Sequence, residues 1–183
     1  MTFETYSDYQ NRICLRAEDH PFPKEVVFHN TEDGTWVSDK NGTKIMFYAG
    51  IQVMTASWIV SDPKWQKKSK AIGNAVDKMR DTDMYLADAE DIDIRYTGYR
   101  KSGKTINKAV RLRRGTDDGS VIDVYVDKTL LRGIPKNALY YTTGWCDPVI
   151  VCLPEDKQYR GRILPIAIVM PFNPRDYEIR EEN

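Results

Sequence analysis

Asp91-Ile92-Asp93-Ile94-Arg95-Tyr96, followed by Ala109-Val110-Arg111-Leu112-Arg113-Arg114, is the stretch that decides the fold class. In the first run Ile92, Ile94 and Tyr96 occupy every second position, the period of a strand with one face on a core and one in water. Ala109, Val110 and Leu112 supply the apolar positions of the second run. Between them Lys101-Ser102-Gly103-Lys104 has the small and polar residues of a turn. The two runs read as the arms of a hairpin, and hairpins build antiparallel sheet.

The same signals recur outward along the chain. Asp39-Lys40-Asn41-Gly42 separates Trp36-Val37 from Ile45-Met46-Phe47-Tyr48. Asn-Gly tolerates the positive φ of a tight turn, so a second hairpin is expected here. Val26-Val27-Phe28 reads as a short strand, and Ile51 to Val60, rich in Ile, Val, Thr and Trp, as a long one. The first third is therefore expected to be strands. Ser61-Asp62-Pro63 opens a helix, with a polar cap and a proline where a missing N–H costs nothing. Trp65, Ile72, Val76 and Met79 share one sector of that helix, with Ala75 at its edge, and Gly73 falls outside it. Lys64, Lys67, Lys68, Lys70 and Lys78 take the opposite side, and the helix is expected over about residues 62–80.

Downstream, Val121 to Val126 alternates as a strand, and Leu139–Thr142, Val149–Leu153 and Ile163–Met170 are further apolar runs. Pro165 and Pro171 place the last of these at a sheet edge or a bulge, because proline cannot donate to a ladder. The expected class is α+β, a mostly antiparallel β-sheet with one main amphipathic helix. Residues 1–173 read as a single globular domain and 174–183 as a charged, loose tail.

With 183 residues, 41% of them hydrophobic, the chain buries enough surface to fold without a disulfide or metal. Lys and Arg total 27, as do Asp and Glu, so any attraction to a polyanion must come from local segregation of charge. Cys14, Cys146 and Cys152 form no CxxC pair and no metal-ligand spacing. The N-terminal residues lack the basic segment and apolar run of a signal peptide. No apolar run reaches the roughly 20 residues of a membrane span. A cytoplasmic protein with no membrane contact and no cofactor is expected.

Charge is segregated. Asp81, Asp83, Asp88, Glu90, Asp91 and Asp93 form an acidic patch, and Arg95 to Arg114 has eight basic residues and no acid. The basic hairpin is the first candidate site. Arg100, Lys101, Lys104, Lys108, Arg111, Arg113 and Arg114 suit phosphates, and Tyr96 and Tyr99 suit base stacking. Lys64, Lys67 and Lys68 would extend this into one cationic face if helix and hairpin lay side by side. The same residues also suit an acidic protein surface, and exposed Lys and Arg equally serve to keep sheet edges from aggregating.

Asp91 and Asp93, two apart on a strand, share a face and are weak candidates for a metal site of nuclease type. His20 and His29, with Cys14, Cys146 or Ser57, are the residues from which a nucleophilic pair could be drawn, but no spacing favours one. Gly98 to Thr105 matches GxxxxGK[ST], but lacks the buried strand before it and the helix after it that a phosphate loop requires. Trp36, Trp58, Trp65, Trp145 and Tyr140-Tyr141 are expected in the core.

The leading expectation is a non-enzymatic binding protein that presents a basic helix–hairpin face to DNA or RNA. A small accessory or inhibitor protein of mobile-element type, docking on a larger nucleic-acid-processing enzyme, is the second. A metal-dependent nuclease using the acidic patch is the third.

Overall fold

The expected hairpin forms, and its first arm is the longest strand of the protein. In the computed structural model, which describes residues 3–20, 22–23, 26–98, 105–156, 158 and 161–180, β4 (Tyr85–Tyr96) pairs antiparallel with β5 (Lys108–Gly115). Upstream lie α1 (Tyr6–Asp19), β1 (Phe28–Thr31), β2 (Gly34–Ser38), β3 (Lys44–Ala49), α2 (Ser57–Val60) and α3 (Pro63–Asp81). Downstream lie β6 (Val121–Asp127), β7 (Leu139–Thr142), β8 (Val149–Pro154), β9 (Ile163–Val169) and β10 (Tyr177–Arg180). The strands make one antiparallel sheet in the order β1-β2-β3-β9-β8-β7-β4-β5-β6, with β10 also on β4. The class is α+β with a mostly antiparallel sheet. Among the described residues no helix is long and apolar enough to cross a membrane.

β4 uses its length to hold three strands. Tyr85–Ala87 pair with β7, Asp88–Asp93 with β5, and Asp93–Tyr96 with β10. The sheet also wraps. Phe172 donates its N–H to Tyr125 O of β6 at 2.9 Å, three residues after β9 ends. In a flat sheet β9 and β6 would be five strand spacings apart, about 24 Å. Three residues span at most about 10 Å, so the sheet curls until its β6 edge meets the chain leaving β9.

One face carries the larger core, where Val110, Leu112, Val124 and Val126 join Val149, Val151, Leu153, Ile166 and Tyr9 of α1. The other face of β2, β3, β9 and β8 is covered by α3 through Ile72 and Val76, packed with Trp36, Phe47, Ile150 and Ile168. Burying two such aliphatic side chains contributes roughly 1.5–3 kcal/mol each. As its sequence implies, α3 starts at a capped proline: Asp62 Oδ1 accepts from Lys64 N at 2.8 Å. Gly73 has a role its helical position hides. A Cβ there would lie 2.9 Å from a ring carbon of His29, so the glycine lets α3 close on β1.

Three expectations are corrected, and a fourth, an edge or a bulge for the proline-bearing strand, resolves to the bulge. The first third is not all strand, because α1 precedes β1. Thr5 caps it by accepting from Asp8 N, and Arg12 and Glu4 brace the first turns with paired contacts of 2.8 and 3.0 Å. The run Ile51 to Val60 is not a strand. It leaves β3 at Gly50, whose φ of +71° turns the chain, and side chains hold it in place of a ladder. Asn30 Nδ2 donates to Val53 O at 3.0 Å, Gln52 Nε2 to Thr31 O at 2.9 Å, and Thr35 Oγ1 to Ile51 O at 2.6 Å. Residues 57–60 then form α2. β9 is no edge strand, since it lies between β3 and β8. Its proline is accommodated by the bulge, where the ladder shifts between Val151 and Cys152 opposite Pro165, and pairing with β3 begins only at Ala167. Finally, residues 174–180 do not form a loose tail. A 3₁₀ turn capped by Asn173 leads into β10, whose Tyr177 and Ile179 pack with Ile92 and Ile94.

α1 is docked by a polar residue in the core. The β3–β9 ladder ends at Met46, leaving the backbone of Phe47 and Ala49 without a strand on that side. Gln10, 5% exposed, takes its place: Nε2 donates to Phe47 O at 3.1 Å and Oε1 accepts from Ala49 N at 2.9 Å. Beside it, the fully buried Tyr9 hydroxyl has no hydrogen-bond partner among the described residues. Truncating Gln10 leaves two buried backbone groups unpaired, whereas removing the Tyr9 hydroxyl leaves none. Urea unfolding should show Gln10→Ala losing about 2–4 kcal/mol. Tyr9→Phe should be neutral or slightly stabilising.

Candidate functional site

Asp88, Glu90, Asp91 and Asp93 of the acidic patch lie on β4 beside Lys108, Arg111, Arg113 and Arg114 of the basic run on β5. Register sets Asp88 opposite Arg113, Glu90 opposite Arg111 and Asp93 opposite Lys108. β6 extends the rows with Asp123 opposite Arg113 and Tyr125 opposite Arg111. Residues directly opposite share a face, so Asp88, Glu90, Arg111, Arg113 and Asp123 make one mixed-charge surface. Arg111, whose side chain is 8% exposed, places Nη2 at 2.5 Å and Nε at 3.1 Å from Glu90 Oε2. Arg113 grips Asp123 through both ends of its fork, at 2.8 and 2.9 Å. That grip holds the Asp123 carboxyl below its ordinary range. Arg114 donates to Thr143 O at 2.6 Å and lies 4.6 Å over the Tyr85 ring.

Arg111, Arg113 and Arg114, expected to meet phosphate, thus already hold carboxylates, a carbonyl and a ring. The other expected residues are equally committed or lie elsewhere. Tyr96 packs edge-on against Tyr177 at 5.3 Å. Lys108 is exposed and faces Asp93 across the ladder. Tyr99, Arg100, Lys101 and Lys104 lie outside the described residues. Of the metal candidates, Asp91 receives Lys128 Nζ at 2.5 Å and Asp93 stands opposite both Lys108 and Arg180. Among the described residues no three His, Cys, Asp or Glu side chains gather where a metal ion could be held.

Lys64, Lys67 and Lys68 do not extend the hairpin. Their helix turns begin at the far edge of the sheet, where Trp65 Nε1 donates to Val26 O at 3.0 Å and Ser69 Oγ to Phe28 O at 2.6 Å. β1 and β4 are separated by five intervening strands in sheet order. The single cationic face is therefore two surfaces. On α3, Lys64, Lys67, Lys68 and Lys70 are exposed and make no ion pair among the described residues, in contrast to Lys78, which reaches Asp147 at 2.8 Å.

The structure also opens a feature the sequence did not announce. A cleft of about 600 Å³ lies between the end of α1 (Ala17, Glu18), residues Phe22, Pro23 and Val26, and the side-chain-pinned segment from Ile51 to Ala56. Trp58 also lines it. Met54 and Trp58, 91% and 70% exposed, stand in solvent at this cleft. Of the four tryptophans expected in the core, Trp36 is buried and Trp65 half-buried, while Trp58 and Trp145 are exposed. Reading Ile51 to Val60 as a strand hid Trp58. In α2 only Ile59 is buried, and one turn is too short for a helical period to show.

Nucleophilic chemistry finds no assembled partners. Cys14 is half-buried with its thiol directed to Ala49 O at 3.5 Å, and desolvation raises its pKa. Burial in β8 pushes the Cys152 thiol up to about 12. No hydrogen bond joins His20 or His29 to Cys14, Cys146 or Ser57 among the described residues. The chain after Thr105 enters β5, so the GxxxxGKT match has no helix N-terminus for a phosphate. No family model matches the chain, and neither a curated protein nor a solved structure matches it.

The charge rows predict a difference between two carboxylates. Removing Glu90 takes the carboxylate from a nearly buried guanidinium, whereas removing Asp123 takes it from an exposed one. Glu90→Ala should cost about 1–3 kcal/mol, and Asp123→Ala no more than about 1 kcal/mol, both read by urea unfolding at neutral pH. Because the folded Asp123 carboxyl titrates below its unfolded value, its contribution is present above the ordinary carboxyl range and is lost as pH falls through the lower folded value. Arg113→Gln should remove that part of the acid-side loss.

Proposed function

We propose that this chain is a non-enzymatic binding protein that docks on a protein partner, as an accessory or inhibitor protein of a larger enzyme. The observation that carries the reading is the cleft beside α3. There Met54 and Trp58 hold apolar surface in water at a concave site. A fold that commits its hairpin arginines to carboxylates gains nothing for stability by leaving a tryptophan and a methionine exposed. Large exposed apolar groups gathered at a concave site are a mark of interaction surfaces. The free thiols Cys14, Cys146 and Cys152 support a reducing, cytoplasmic setting for this contact.

A second reading keeps the nucleic-acid partner but moves it from the hairpin to α3. Lys64, Lys67, Lys68 and Lys70 are exposed and make no ion pair among the described residues, which suits them to phosphate contact. The acidic patch gives the nuclease reading no such support, since its carboxylates face bases.

Pull-down from a nuclease-treated cell extract, with the wild type and a Met54→Ser/Trp58→Ser variant of unchanged circular dichroism, separates these readings. A stoichiometric protein held by the wild type and lost by the variant is the expected result. A partner held equally by both would move the contact away from the cleft. Binding of labelled DNA or RNA that weakens steeply between about 50 and 200 mM salt, and vanishes in Lys64→Glu/Lys67→Glu/Lys68→Glu, would establish the second reading instead.

A further inference from the structure

We infer that β10 pairs edge to edge with β10 of a second copy of this chain, antiparallel about a twofold axis at Ile179, so that one sheet runs through both molecules. The inference is independent of the cleft and of the partner proposed there.

The direction of the backbone groups is the first observation. Ile94 N donates to Asn107 O on the β5 side of β4, and Thr97 N donates to Asp176 O on the β10 side. In an antiparallel ladder, residues alternate between bonding one neighbour and bonding the other. Odd-numbered residues of β4 therefore face β10. Glu178 and Arg180, opposite Arg95 and Asp93, turn their backbone groups toward β4. Ile179, between them, turns its N–H and C=O away, and neither meets a partner among the described residues. Such an open edge is a template for another strand. The other edges are met from within the chain. On β1, Ser69 Oγ donates to Phe28 O at 2.6 Å, and on β6, Phe172 N donates to Tyr125 O at 2.9 Å.

The second observation is that this edge is held in place. Thr97 donates to Asp176 O through both N and Oγ1, at 2.8 and 3.2 Å. The Tyr177 ring packs edge-on against Tyr96 at 5.3 Å and against Phe172 at 5.2 Å. A preformed strand loses little freedom when it is paired.

The third observation is charge, and it names the partner. A twofold axis at Ile179 sets Glu178 opposite the partner's Arg180 and Arg180 opposite the partner's Glu178, so one attractive pair is made twice. These are the positions without ladder hydrogen bonds, where opposed side chains stand closest. Within the chain, Glu178 already faces Arg95 and Arg180 faces Asp93, and all four are exposed. Each row across the joined sheet then reads Arg95, Glu178, the partner's Arg180 and the partner's Asp93, with the sign alternating at every step. On the opposite face, Ile94 and Ile179 continue into the partner's Ile179 and Ile94. Moving the axis to Glu178 or to Arg180 sets like charges opposite each other, so the charges also choose the register.

Sedimentation velocity of the full chain over a range of concentrations tests this, and should show a dimer in equilibrium with monomer. Glu178→Arg and Arg180→Glu each place like charges across both symmetric positions. Each should raise the dissociation constant about tenfold or more. An equal mixture of the two variants places opposite charges across both positions again and should restore association as a heterodimer, which a folding defect in β10 would not do. In hydrogen exchange the Ile179 amide should gain protection as concentration rises, while that of Arg180, directed at β4, should not change. A monomer at every concentration would overturn the inference, as would a dimer that survives both substitutions unchanged. Two monomeric variants that fail to associate when mixed would overturn it too, as would an Ile179 amide that exchanges equally fast in monomer and dimer. The pull-down decides the cleft reading separately.

Discussion

Everything in this fold hangs on β4. One strand of twelve residues gives its first third to β7, its middle to β5 and its end to β10. Because β7 leads back to β8 and β9 while β5 leads on to β6, β4 is where the two halves of the sheet join. The wrapping that brings Phe172 to Tyr125 closes the same unit from the other side. A strand in that position cannot also present a free charged face. Its alternate residues must serve the core, as Ala87 does, or match the neighbouring strand, as Glu90 does with Arg111. The electrostatic character of the hairpin follows from its structural duty.

That explains why the fold was easier to read from sequence than the site. Period-two alternation at Ile92, Ile94 and Tyr96, the Asn41-Gly42 turn and the Asp62-Pro63 helix start are local signals, and each corresponds to an observed element. The misses come from non-local stabilisation. α1 has a helical row in Tyr6, Tyr9, Ile13 and Ala17, with Thr5 as cap, but the residue that docks it is Gln10, and a polar side chain does not register as core. Residues 51–60 have strand composition, yet their backbone is claimed by Asn30 and Thr35 before another strand reaches it. β10 reads as tail because Tyr177 and Ile179 are only two apolar residues, and their strand partner lies far back along the chain.

For the site, the sequence shows which charges exist but not which of them face one another. Eight basic residues without an acid between Arg95 and Arg114 look like an unopposed surface. Register alone reveals that Glu90 and Asp123, on separate strands, flank Arg111 and Arg113. The lysines of α3 were visible as a helix face, and their surroundings were not. The cleft is built by two stretches far apart in sequence, between Ala17 and Val26 and between Ile51 and Trp58. No periodicity in either stretch encodes a concavity made by both.

The ladder on β4 also imposes an order on biosynthesis. Lys44 of β3 must wait for Val169, and Tyr96 of β4 for Tyr177, so two strand edges stay open until segments 125 and 81 residues further on have been translated. Pairing between such remote segments is slow, and open edges during that interval invite association with other chains. The charges of β4 take on a second meaning here. Asp88, Glu90, Asp91 and Asp93 keep the emerging strand soluble while it is still waiting; Asp88, Glu90 and Asp93 come opposite basic residues when β5 appears, and Asp91 meets Lys128 after β6. The feature that neutralises the finished surface is thus also what protects the nascent one.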